Sequence, residues 1–140
     1  MNFRQIEDSL PNGFHDSFLK TVTVDYSNRT AKFEMEVWVG GSENSDTMEY
    51  YRGIRIELQG LLMCVLDVPN QEFLEDKSVG MKTDSAPIDY MHCWPLPTEL
   101  IPVDAFTGCL YFTAEANSAV TFVAANAIFE WLTEARRIYW

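Results

Sequence analysis

The sequence predicts a mainly β fold: about six antiparallel strands in a sandwich or open barrel, with a short N-terminal helix. Three observations point there. Thr30 to Val39 alternates strictly, with Ala31, Phe33, Met35, Val37 and Val39 set against Lys32, Glu34, Glu36 and Trp38. That is the period of a strand with one dry and one wet face. Other runs rich in Val, Thr, Ile and Phe are bounded by Gly, Asn, Ser or Pro, as strands are. Finally, 140 residues with 47% hydrophobic and 22% charged content suit one core, so residues 1–140 are expected to form a single domain.

The elements follow in chain order. Asn2 to Leu10 places Phe3, Ile6 and Leu10 at helical spacing, and Pro11-Asn12-Gly13 stops the helix. Phe18 to Tyr26 is a first strand, Ser27 to Arg29 a turn, and Thr30 to Val39 its hairpin partner. After a polar loop from Gly40 to Asp46, Met48 to Gln59 is a third strand, broken by Gly60. Leu61 to Val68 is almost wholly apolar and is expected to be a central strand buried on both faces, ended by Pro69. Asn70 to Pro102 contains Pro87, Pro95, Pro97 and Pro102, which forbid long regular elements beyond a helical turn at Gln71 to Lys77. Ala105 to Glu115 resumes strand character, Asn117-Ser118 is a turn, and Ala119 to Trp131 is the last strand. Ile128, Leu132 and Ala135 also fit a helix there, but the β-branched and aromatic run Val120 to Val123 favours a strand.

Composition narrows the partners. The formal net charge is −11, and Arg136-Arg137 is the only adjacent basic pair. Nucleic acid and anionic membranes demand basic clusters, so neither is expected to bind. A basic protein surface is the complementary choice, and a homo-oligomer stays open. No apolar run approaches the length of about 20 residues that spans a bilayer. The first twelve residues, MNFRQIEDSLPN, have no signal-like apolar stretch, so a cytoplasmic location is expected. Cys64, Cys93 and Cys109 are widely spaced without a CxxC pair and are expected to be buried thiols.

Catalytic signatures are sparse. His15-Asp16 precedes the first strand and offers either a polarised base or a turn in which Asp16 or Ser17 bonds backbone amides and His15 a carbonyl. His92 adjoins Cys93, but neighbours in extended chain point opposite ways, so His92 is poorly placed to activate that thiol. His15, Asp16 and His92 could line a pocket or converge on a metal, though no HxH or HxxxH spacing supports a metal site, and none is expected. Glycine-rich phosphate motifs and GxSxG are missing, so no cofactor is expected. Glu34 and Glu36 share a strand face about 7 Å apart and suit a solvated face. The aromatic set of Trp38, Tyr50, Tyr51, Trp94, Trp131, Tyr139 and Trp140 is more informative. Trp38 lies on the polar face, so it is either covered by the middle segment or serves as an interface anchor with Tyr50 or Tyr51.

The run Leu10-Pro-Asn-Gly-Phe-His-Asp-Ser17, followed by the Val22 to Tyr26 and Thr30 to Val39 strands, resembles a loose group of small bacterial domains. Their N-terminal signature is an L-x-x-G-F-H-D-[AS] turn entering a β-hairpin, and some are classed as immunity proteins of contact-dependent or polymorphic toxin systems. The resemblance covers about the first 40 residues. It implies a mostly β fold, keeps an immunity role open, and carries over no catalytic residue.

The expected function is therefore a non-enzymatic protein-interaction domain, in its sharpest form an inhibitor of a basic toxin. Its contact surface would comprise Trp38, Tyr50, Tyr51, Glu34 and Glu36. The alternative is a small enzyme or ligand-binding protein with a pocket lined by His15, Asp16, His92 and aromatics.

Overall fold

A computed structural model of the chain describes residues 1–41, 49–74, 79–85, 99 and 101–138. The helix α1 (Phe3–Ser9) starts where sequence chemistry puts it. Asn2 caps it, accepting from the Gln5 N–H while the Gln5 side chain accepts from the Asn2 N–H. Such a reciprocal cap contributes about 1 kcal/mol. Phe3 and Ile6 are the buried face of the helix. Phe3 stacks on Phe14 at 4.6 Å and meets Phe122 edge-on at 4.8 Å. Among the described residues no helix is long and apolar enough to cross a membrane.

The strands are β1 (Ser17–Asp25), β2 (Thr30–Trp38), β3 (Tyr50–Gln59), β4 (Met63–Leu66), β5 (Met81–Ser85), β6 (Phe106–Phe112), β7 (Glu115–Ala124), β8 (Asn126–Trp131) and β9 (Arg136–Arg137). All pairings are antiparallel. The sheet order is β4-β7-β6-β5-β1-β2-β3-β8, with β9 added to β3, and the path is not closed. The mainly β architecture with a short N-terminal helix is as the sequence predicts.

One relationship reduces the nine strands to a simpler plan. β3 runs into β4 through Gly60 to Leu62, and β7 runs into β8 through Ala125 alone. The ladder between β3 and β8, ending at Gln59↔Asn126, resumes between β4 and β7 at Met63↔Val123. Two long strands thus pair with each other twice, before and after a shared corner. Gly60 makes the corner: its φ is +60°, and a Cβ there would lie 2.8 Å from the Ala125 Cβ. Only glycine takes that turn without strain.

The core lies between the two halves of the folded sheet. Phe33, Met35, Ile54, Ile56, Leu58, Leu110 and Phe122 are almost fully buried there. A second cluster of Phe18, Tyr51 and Val79 lies apart from it, with Trp38 and Ile138 packed against it. Phe18 pairs across strands with Glu36, and Tyr51 with Trp38, so this cluster sits on the outer face of β1, β2 and β3.

Several expectations need correction. Leu61 to Val68 is not a central strand buried on both faces: its ordered part, β4, is a sheet edge with Val65 and Leu66 exposed. An apolar run does not say which strand is central, and past the corner at Gly60 this one becomes the sheet edge. The proline-rich segment holds a strand, β5, which links β1 to β6. The helical turn expected at Gln71 is a short 3-10 turn over Gln71–Phe73. Asn117-Ser118 lies inside β7 rather than in a turn, because Thr113-Ala114 already reverses the chain. The last strand divides at Ala125.

Candidate functional site

The polar face of β2 becomes a site through what its neighbours bring. Cross-strand pairing sets Glu34 opposite Arg55, and Arg55 opposite Glu130 on β8. The guanidinium joins them, at 2.7 Å to Glu34 and 2.9 Å to Glu130. These bonds, with Glu34 the stronger, push the Arg55 pKa further up. The three side chains are partly solvated, so this ladder aligns strands more than it stabilises them.

Glu36 departs from the expectation of a solvated face: it is 2% exposed. Period two shows which face a side chain takes but not what later covers it. The covering chain follows β8. Gly53, opposite Glu36, lets Thr133 approach, since a Cβ there would meet the threonine side chain at 3.2 Å. Thr133 Oγ1 accepts from the Gly53 N–H at 2.9 Å and from Arg136 Nη1 at 2.7 Å. Arg136 then donates through Nη2 to Glu36 Oε1. Lys20 Nζ stands 4.0 Å from the same oxygen. Glu36 Oε2 is buried and has no hydrogen-bond partner among the described residues.

Trp38 ends this row. It is half-buried, not fully covered, and packs on the Phe18, Tyr51 and Val79 cluster. Asn12 Nδ2 donates to the carbonyls of Trp38 and Gly40, which ties the early turn to the end of β2. Tyr51 is buried at 4% exposure, so only Tyr50 of the tyrosine pair reaches the surface, under the Arg137 guanidinium at 5.7 Å.

His15 lies 6.1 Å from the Trp38 ring system, centroid to centroid. Its Nδ1 bonds Asp84 Oδ2 at 2.7 Å, and its Nε2 is 3.3 Å from Asp16 Oδ2. Lys82 is 3.4 Å from the other Asp16 oxygen. Asp84 comes from β5, which pairs with β1 beside Ser17, and no local pattern announces it. The expected carbonyl partner for His15 is therefore replaced by a carboxylate. Asp16 binds side chains rather than capping amides, and it takes a left-handed φ of 52°. The Asp84 hydrogen bond raises the His15 pKa, partly offset by desolvation and aided by the charge of Asp16. A carboxylate at each ring nitrogen favours the imidazolium form of His15.

The structure thus gathers His15, Asp16 and Trp38 at one end of the outer face, with Glu34 and Glu36 running away along β2. His92, Cys93, Trp94, Tyr139 and Trp140 lie outside the described residues. Among the described residues no three metal-ligating side chains form a metal-holding group. Cys64 is a free thiol that burial pushes up to about 11. Cys109 is disulfide-bonded, which corrects the expectation of three free thiols.

Sequence reasoning missed a second surface. Leu62, just before β4, Leu66, at its end, and Val68, just after it, are 48%, 42% and 90% exposed. Tyr26, across a groove from them, is 90% exposed. The available signal was Gly60, whose break precedes the uncharged stretch Leu61 to Leu66 and is compatible with an edge.

No protein-family model, curated protein or solved structure matches this chain.

Proposed function

We propose that this chain is a non-enzymatic protein-interaction domain whose partner is a basic protein. An immunity-type protein that inhibits a basic toxin is the specific form of that role. The observation that carries it is the apolar edge strand β4, Met63–Leu66, which has no charged residue or proline of its own. Leu62, Val65, Leu66 and Val68 are all exposed, with Asp67 and Pro69 standing only beyond the strand's end. The formal charge of −11 speaks for a basic partner.

The outer face adds Trp38 and Tyr50 as aromatic contacts. It adds little local acidity, because Glu34 and Glu36 already hold Arg55 and Arg136. Complementarity on this account comes from the whole molecule's field rather than from an acidic rim around Trp38. The disulfide at Cys109 favours an oxidising compartment over the cytosol.

The test is co-expression with the product of the adjoining gene. Restored growth and a one-to-one complex of micromolar or tighter affinity are expected. The close His15–Asp84 contact favours a second role, a small-molecule site. A metabolic neighbour and a turnover lost in His15→Gln with an unchanged melting temperature would replace the first role by this one.

A further inference from the structure

β1 and β4 run in the same direction. Antiparallel steps from β1 to β5, β5 to β6, β6 to β7 and β7 to β4 separate them, and an even number of reversals restores the original sense. Among the described residues each strand has an unpaired side. β1 pairs with β5 only from Ser17 to Leu19, and β4 ends the sheet, bonded to β7 alone. The Asp67 N–H bonds the Ala119 carbonyl, which sets the phase of the β4–β7 ladder. Met63 and Val65 therefore exchange bonds with β7, while the N–H and C=O of Cys64 and Leu66 point to the open side.

An apolar groove follows these two edges. At one end it is lined by Val24, Tyr26, Leu62 and Cys64. It continues past Leu66 to Val22, Met81 and Phe112. Phe112 is a buried member of the main core, and Val22, Cys64 and Met81 pack against that core. The groove thus opens onto the core itself.

We infer that this groove accepts one extended segment of a partner protein, antiparallel to both β1 and β4, apolar at alternate positions and basic between them. This rests on the interaction role proposed above and specifies the partner's shape. The segment is extended because unpaired strand edges bind strands. It runs antiparallel to both edges because those edges are parallel to each other. Apolar residues alternate because one face meets the groove floor and the other meets water. Asp25, Asp67, Lys20 and Arg29 balance at the rim, so overall charge decides the sign. At −11 the chain attracts a basic segment and repels a second copy of itself.

The test uses the full chain and a capped KVTVKV peptide, read by amide hydrogen exchange. A version with Glu for Lys and one with Pro for the second Val are the comparisons. The basic peptide should slow exchange at Cys64 and Leu66 by about tenfold or more at roughly 1 mM, and the other two should not. Leu66→Lys should weaken the effect about tenfold with an unchanged melting temperature. No slowing, equal slowing by all three peptides, or protection confined to the Trp38 face would overturn the inference. So would protection that rises with protein concentration when no peptide is present, since it would make a second copy the occupant. If the neighbouring gene's product binds Leu66→Lys as tightly as the parent, the groove is wrong while the interaction role stands. If the peptide protects but no protein partner forms a complex, the groove stands and that role fails.

Discussion

Arg136 reaches Glu36 over Gly53, so a residue of the last strand neutralises a buried carboxylate 100 positions earlier in the chain. Glu36 has almost no access to water that could replace the guanidinium. Arg136→Met should therefore lower stability by about 2–3 kcal/mol, because the buried carboxylate would keep only Lys20, 4.0 Å away, as its cation. Glu36→Met combined with Arg136→Met should recover most of that loss. Urea denaturation of the two single variants and the double variant gives the coupling. Additive losses would show that the pair is not a unit.

Gly53 tests the same clasp from beneath. Gly53→Ala puts a methyl 3.2 Å from Thr133, tight enough to push the C-terminal segment outward. A loss of about 1–2 kcal/mol is expected. Faster amide exchange at Ile138, whose N–H bonds the Glu49 carbonyl, should accompany it. An unchanged rate at Ile138 would show that the segment is held elsewhere.

His15 predicts a pH dependence. Its folded pKa is raised above the unfolded value of about 6.5, chiefly by the Asp84 hydrogen bond. The stabilisation is fully present below 6.5 and fades as pH rises through the folded pKa. As pH rises above about 6.5, melting temperature should therefore fall by more in the parent than in His15→Gln. Most of the ring is solvated, so the difference should be small. Parallel curves would remove His15–Asp84 as a stabilising contact.

Cys64 should be inert in the native protein. With its pKa pushed up to about 11 by burial, almost none of it is thiolate near neutral pH. Iodoacetamide at about pH 7.5 should leave it unmodified for hours and label it within minutes in denaturant. Rapid native labelling, read by mass spectrometry, would mean that the edge strand β4 opens readily.

Local chemistry made much of the fold legible. The alternation of Thr30 to Val39, the helical spacing of Phe3, Ile6 and Leu10, and the Pro11-Asn12-Gly13 stop all act within a few residues, and each appears where sequence places it. What escaped depends on distant partners. Met81 to Ser85 has one large apolar residue and becomes a strand only because β1 and β6 flank it. Glu36 looked solvated because nothing near it reveals that Arg136 returns. Of the candidate site, Trp38 and His15 were recognisable by residue type. Asp84 and the β4 edge were not, since one comes from a different strand and the other looks like core.

The doubled pairing of the two long strands has a consequence for timing during synthesis. Beyond the β2–β3 hairpin, Ile54 to Leu66 pairs with Val120 to Trp131, so the sheet cannot be completed until Trp131 has been made. Until then the apolar face of the early β2–β3 hairpin has no opposing layer. Folding should be late, limited by contacts far apart in sequence, and on the millisecond-to-second scale of such β topologies. A nascent chain stalled before Asn126 would present an unprotected hairpin, a natural substrate for chaperones.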